Sequence, residues 1–230
     1  MHLWIVQTDG PPASHLADIL HADERNEARR FHRAADRHRF VTGRALLRLA
    51  LSHHFPVAAG DWRFARDQHG KPFIATPEIS PPVRFNISHT EGLVACLITL
   101  SARAGVDVEK VEPHQDLELV AKRVLSAAEQ SALSALSGKD WTARFFDYWT
   151  LKEAYAKARG LGLALTLSDV GFELEPDGAV HARFAAALND DPSAWVFWRG
   201  RLAPEHAISV AAKNDGDDDC ELILRRASLS

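Results

Sequence analysis

The order of elements in this chain occurs twice, and that repetition constrains the fold more than any single motif. Residues 2–7 read as a strand. Helical patterning covers 13–21, 23–31 and 34–54, and strands rich in Val, Ile and Phe follow at 61–66, 83–88 and 93–100. The order then starts again: a strand at 105–110, helices near 116–124, 127–137 and 141–159, and strands near 168–174, 179–185, 194–202 and 206–213. The halves share element order without sequence identity visible by eye. The expected architecture is α+β, a pseudo-twofold pair of similar lobes over 1–103 and 104–230, with the crevice between them as the default place for a ligand. Local chemistry marks several boundaries. Ser126-Ala127-Ala128-Glu129 fits a capping box, Gly160 suits a left-handed helix stop, and Glu175-Pro176-Asp177-Gly178 is a turn.

Composition excludes several classes. The 230 residues are 46% apolar, too many for a disordered chain, and carry a formal charge of −4. Such a balance lacks the cationic footprint of a nucleic-acid binder. No window approaches the roughly 18 apolar residues of a membrane-spanning helix. The start, Met1 to Val6, has no basic region and reaches Asp9-Gly10-Pro11-Pro12 too soon for a secretory signal, so a cytoplasmic protein is expected. Cys96 in an apolar run and Cys220 in a polar tail rule out a disulfide framework.

Four segments carry possible chemistry. In Gly105-Val106-Asp107-Val108-Glu109-Lys110, strand alternation puts Asp107 and Glu109 on one face, with Val106 and Val108 turned to the core. Paired carboxylates suit a solvated edge strand or a hard cation such as Mg²⁺ carried in by phosphates. In Trp149-Thr150-Leu151-Lys152-Glu153-Ala154-Tyr155-Ala156-Lys157, spacings of four put Trp149, Glu153 and Lys157 on one helical face. This is either an ordinary surface pair or a base beside a phosphate-binding lysine. Phe85-Asn86-Ile87-Ser88-His89 ends a strand. Because Ser88 and His89 are adjacent, they cannot face each other as nucleophile and base. His69-Gly70-Lys71-Pro72 combines a flexible glycine, a cation and a turn, and fits either a plain turn or a close approach to a nucleotide. Arg25, Arg29, Arg30, Arg33, Arg37, Arg39, Arg44 and Arg48 crowd one stretch, most of them expected on a solvated helix face. There is no zinc spacing, Walker loop or GxGxxG.

Taken together, in this order and spacing, the four motifs resemble those of the Sfp-type 4′-phosphopantetheinyl transferases, over most of the chain from the Arg-rich helix through Gly162. The resemblance implies a usually monomeric enzyme that binds coenzyme A and Mg²⁺, or Mn²⁺ in its place, between its lobes. Such enzymes transfer phosphopantetheine to a serine of an apo acyl, peptidyl or aryl carrier protein and release adenosine 3′,5′-bisphosphate. By motif match, Asp107 and Glu109 are expected metal ligands, and Glu153 is a third ligand, the base for the incoming hydroxyl, or both through water. Lys157 is expected to contact the pyrophosphate, with Lys152 a weaker candidate for that contact. Arg66, His69, Gly70, Lys71 and Pro72 are expected at the adenine end, Asn86, Ser88 and His89 at the ribose and phosphates, and Arg39 at the 3′-phosphate. Glu24 and Glu27 depart from the family, whose members carry Lys or Arg upstream of Phe31; Arg25 or Arg29 would replace them. Because the chain is net negative, docking of an acidic carrier is expected to use a local apolar and basic patch. A coenzyme A-binding module without transfer, and a Mg²⁺-dependent hydrolase of nucleotide pyrophosphates, fit the same residues.

Overall fold

The computed structural model describes residues 1–8, 14–68, 70–100, 102–161, 165–202, 205–214 and 220–229. The chain divides into two compact units, residues 1–102 together with 221–230, and residues 103–220. The elements of the first unit are β1 (His2–Gln7), α1 (Ala22–Ala28), α2 (Ala34–His54), β2 (Arg63–Arg66), β3 (Pro72–Thr76), β4 (Val83–Thr90) and β5 (Leu93–Leu100). Those of the second are β6 (Ala104–Lys110), α3 (Leu117–Val124), α4 (Ala127–Ser134), α5 (Gly138–Arg159), β7 (Val170–Leu174), β8 (Val180–Phe184), β9 (Trp195–Leu202) and β10 (His206–Lys213). The last strand, β11 (Ile223–Arg226), returns to the first unit, where it pairs parallel with β1.

The repeat of element order reappears as a repeat of strand order. Among the described residues, the first unit's sheet runs β11-β1-β5-β4 and the second unit's runs β6-β10-β9. With β11 set aside, each sheet places its opening strand beside its closing strand and the penultimate strand outside, all antiparallel. A separate two-stranded ladder, β2–β3 in one unit and β7–β8 in the other, falls between the long helix and the final hairpin.

Each unit buries its own core. In the first, the stripe Leu46, Leu47, Ala50 and Leu51 on α2 packs with Val94, Cys96 and Ile98 of β5, Phe85 of β4 and the buried Trp62. β5 is buried from Leu93 through Thr99, as befits a central strand covered on both faces. In the second, Phe145, Tyr148, Leu151, Ala154, Tyr155 and Ala158 of α5 pack with Val170 and Phe172 of β7, Trp195 of β9, and Ala207 and Ala211 of β10. Among the described residues, no helix is long and apolar enough to cross a membrane.

Several boundaries differ from the sequence reading. Within 13–21 the described backbone forms only a short 3₁₀ turn at Ser14–Ala17, and α1 begins after His21, whose N–H donates to Glu24 Oε2 at 3.0 Å. β3 replaces part of an expected turn. Proline is tolerated at a strand's first residue, so Pro72, expected in the turn, opens β3. Helix α5 starts at Gly138 after the N-cap Ser137, three residues earlier than its first aromatic suggests.

Candidate functional site

The second unit's acidic strand lies against its long helix. Side chains two apart on β6 share a face, and Gly105, Asp107 and Glu109 all turn toward α5. A Cβ on Gly105 would stand 2.6 Å from the amide nitrogen of Ala158 and closer still to the carbonyl of Ala154, so the two backbones meet with no room for a side chain. Farther along β6, Lys157 Nζ donates to Asp107 Oδ1 at 2.5 Å. Trp149 Nε1 donates to Glu109 Oε1 at 3.3 Å. Trp149 and Lys157 lie eight residues, about 12 Å, apart on the helix, whereas Asp107 and Glu109 lie nearly 7 Å apart on the strand, so these contacts depend on side-chain reach and not on matched backbone steps.

Glu153 lies on α5 between Trp149 and Lys157. Burial raises its carboxyl above the usual range, and the negative charge of Asp107 raises it further against the pull of Lys157. Burial, then the charges of Asp107 and Glu153, push Glu109 up to about 7, partly opposed by the Trp149 hydrogen bond and by Lys157. Asp107 is almost fully buried. Among the described residues, the Lys157 ammonium acts on all three carboxylates, an oxygen donor set of the kind a hard cation takes. Among the described residues, no three His, Cys, Asp or Glu side chains form a ready-made cage. Carboxylate oxygens are the donors Mg²⁺ takes, alongside waters and substrate phosphates. The residues present therefore fit the group.

Lys152 requires a correction. Expected at a phosphate, it is fully buried on another side of α5, with Nζ 2.8 Å from Glu129 Oε2 and 3.0 Å from the Leu167 carbonyl. A step of about 100° per residue separates it from Glu153. Sequence reading recognised Glu129 as a capping residue but not as the partner of Lys152, which lies well beyond helical spacing.

The first unit holds the remaining candidates. Arg66, Gly70, Lys71 and Pro72 belong to one hairpin turn. Gly70 has φ 80°, Arg66 Nη1 donates to its carbonyl at 3.2 Å, and the Lys71 N–H donates to Asp67 Oδ1 at 2.9 Å. His69 lies outside the described residues. On β4, Phe85 and Ile87 enter the core, so by alternation Asn86 and Ser88 share the opposite face, while His89 follows Ile87. Arg39 sits on α2 and pairs with Asp36. The departures at Glu24 and Glu27 have a structural explanation. Glu24 is the counter-ion of the fully buried Arg48, with Oε2 2.6 Å from Nη2, and Glu27 pairs with Arg66 at 3.0 Å. Arg25, a candidate replacement, donates to the Leu20 carbonyl.

A helix presenting Glu and Lys to a strand of paired carboxylates is suited to an enzyme that handles phosphate esters with a divalent cation. Residues 103–211 match the model of the 4′-phosphopantetheinyl transferase superfamily, and residues 11–100 match that of the 4′-phosphopantetheinyl transferase N-terminal region. The chain is 37% identical over 206 residues to the 4′-phosphopantetheinyl transferase Sfp of Bacillus subtilis, covering 89% of this chain and 88% of that one. It is 35% identical over 178 residues to the 4′-phosphopantetheinyl transferase HetI of a Nostoc species, covering 76% and 75%. A holo-(acyl-carrier-protein) synthase structure from Bacillus anthracis aligns with 49% of this chain and 96% of its own at 18% identity, with a TM-score of 0.40. The chain belongs to the 4′-phosphopantetheinyl transferases, enzymes that move 4′-phosphopantetheine from coenzyme A to carrier proteins.

Proposed function

We propose that this transferase uses Asp107, Glu109 and Glu153 to hold Mg²⁺, with Mn²⁺ as a substitute, and that Glu153 also serves as base for the incoming serine hydroxyl. The convergence of Asp107, Glu109, Glu153 and Lys157 on one face of α5 and β6 carries this reading. When bound, the cation would neutralise charge on the pyrophosphate of coenzyme A. The chain's own groups do the rest. Glu153, with its carboxyl raised by burial and by Asp107, is a stronger base than an ordinary exposed glutamate. As the serine O–H proton passes to Glu153, the serine oxygen bonds to the phosphorus nearer the pantetheine arm. The bond from that phosphorus to the bridging oxygen breaks, and adenosine 3′,5′-bisphosphate leaves. Lys157 would steady the charge that builds on the phosphoryl oxygens.

Residues of the first unit are assigned to the nucleotide end: Arg66, His69, Gly70, Lys71 and Pro72 to the adenine, Asn86, Ser88 and His89 to the ribose and phosphates, and Arg39 to the 3′-phosphate. Lys152 is withdrawn from the binding set. The acceptor is the serine of an apo acyl, peptidyl or aryl carrier protein, and the enzyme acts as a cytoplasmic monomer.

Intact-mass analysis tests this. The chain with coenzyme A and Mg²⁺ should add phosphopantetheine to an apo carrier, and EDTA should stop it. Glu153→Gln and Asp107→Ala should each lower the rate by at least about 10²-fold. Glu112→Gln, which removes only a pair with Lys110, should leave it unchanged. Full activity in Asp107→Ala would remove the metal site, and cleavage of coenzyme A without transfer would reassign the chemistry to hydrolysis.

A further inference from the structure

Helix α5 is gripped from two sides. On the sheet side, Gly105 admits the backbone at Ala154 and Ala158, and Thr150 Oγ1 shares a 2.7 Å hydrogen bond with Ser209 Oγ of β10. Lys152 points roughly opposite to Thr150 and Ala154, because two residues turn a helix by about 200°. Its ammonium meets three acceptors: Glu129 Oε2, the Leu167 carbonyl, and the Val170 carbonyl at the start of β7. Glu129 is itself fully engaged. Its Oε2 accepts the Ser126 N–H at 2.7 Å and its Oε1 the Phe172 N–H at 2.9 Å. Both side chains are 0% exposed. The pair therefore ties the start of α4, the turn before β7, β7 itself and α5 into one buried polar junction.

A buried ion pair is a poor way to gain stability, since well-packed apolar residues of similar volume often do as well or better. What it supplies is direction. An ammonium with three fixed acceptors cannot follow a turning helix without losing them, whereas an apolar side chain slides. We propose that Lys152 and Glu129 are positioning residues that set the rotation of α5 about its axis, and with it the aim of Glu153 and Lys157. The inference rests on the roles given above to those two residues. A rotation of about 20° would move a carboxylate carried roughly 6 Å from the axis by about 2 Å. Misplacement of about 1 Å can cost about 10²-fold in rate.

The test separates aim from binding and from folding. Transfer kinetics and calorimetric binding of coenzyme A are measured for wild type, Lys152→Met, Lys152→Arg and Glu153→Gln, each below its own unfolding transition. Lys152→Met should lose at least about tenfold in kcat while its Kd for coenzyme A stays within about threefold, and Lys152→Arg should recover most of the loss. If Lys152→Met does not fold, the paired Lys152→Met/Glu129→Gln variant replaces it and should show the same split. Wild-type kcat in a folded Met variant would overturn the positioning role. A weakened Kd at unchanged kcat would also overturn it and return Lys152 to the phosphates. Full activity in Glu153→Gln would instead sink the assignment of the site. An inactive Glu153→Gln beside a fully active Lys152→Met would sink the positioning role alone.

Discussion

His54 accepts a hydrogen bond from Trp4 Nε1 at 3.3 Å, and its ring centre lies 4.2 Å from that of His2, with the planes tilted by 38°. An imidazole nitrogen that accepts must be unprotonated. Burial first, then the charges of His2, His53, Arg225 and the N-terminal ammonium, together lower the His54 pKa to about 4. The folded value is thus below the ordinary 6.5, so between about 6.5 and 4 the unfolded chain binds more protons. Stability should fall as pH drops through that window. His54→Gln, which keeps an acceptor for Trp4, should flatten this dependence in urea titrations run from pH 7 to 4, and an NMR titration should place the midpoint near 4. At this scale the sequence was informative where short-range geometry decides. Spacings of two on a strand and four on a helix put Asp107 with Glu109 and Glu153 with Lys157. Partners distant in the chain were invisible. Nothing local announces that Glu129 faces Lys152 or that Glu24 faces Arg48, so Lys152 was misassigned and Glu24 looked like a missing phosphate contact.

Between elements, the tightest constraint is the meeting of β6 and α5 at Gly105. A methyl group there would strike backbone atoms, which cannot swing aside as a side chain can. Gly105→Ala should therefore cost about 1–3 kcal/mol in chemical denaturation. It should also lower transfer activity, because the helix must retreat from Asp107. An equal denaturation midpoint for variant and wild type would contradict this packing. Elements with strong periodicity were legible to within a few residues, including α2 and the hairpin β4–β5. Two strands were missed for physical reasons. β3 begins with proline and follows a glycine turn, and β11 is a four-residue segment whose identity as a strand comes from β1 beside it and not from its own pattern.

For the whole molecule, the repeat of order was the strongest sequence signal, and the strand order β1-β5-β4 against β6-β10-β9 bears it out. What the sequence could not reveal is the assignment of residues 221–230, because a parallel pairing between the chain's two ends leaves no local trace. That pairing is substantial. The Ile223 N–H donates to the Met1 carbonyl at 2.9 Å, the Ala227 N–H to the Ile5 carbonyl at 2.8 Å, and the Arg225 guanidinium lies 5.5 Å from the Trp4 ring. Deleting residues 221–230 should bare the edge of β1 and strip Leu229 from the core beneath it. Hydrogen-exchange mass spectrometry should then show greater loss of protection in β1 than in β6. Equal protection of β1 with and without the segment would refute the expectation.

The second unit is an insertion within the first. Within it, the Lys213 N–H of its last strand donates to the carbonyl of its first residue, Arg103, at 2.8 Å. On the ribosome, every residue of that insert emerges before the strand that completes the earlier sheet. The portion translated first is thus completed only after the insert has been made, and the nascent chain carries an open edge at β1 until residues 223–226 emerge.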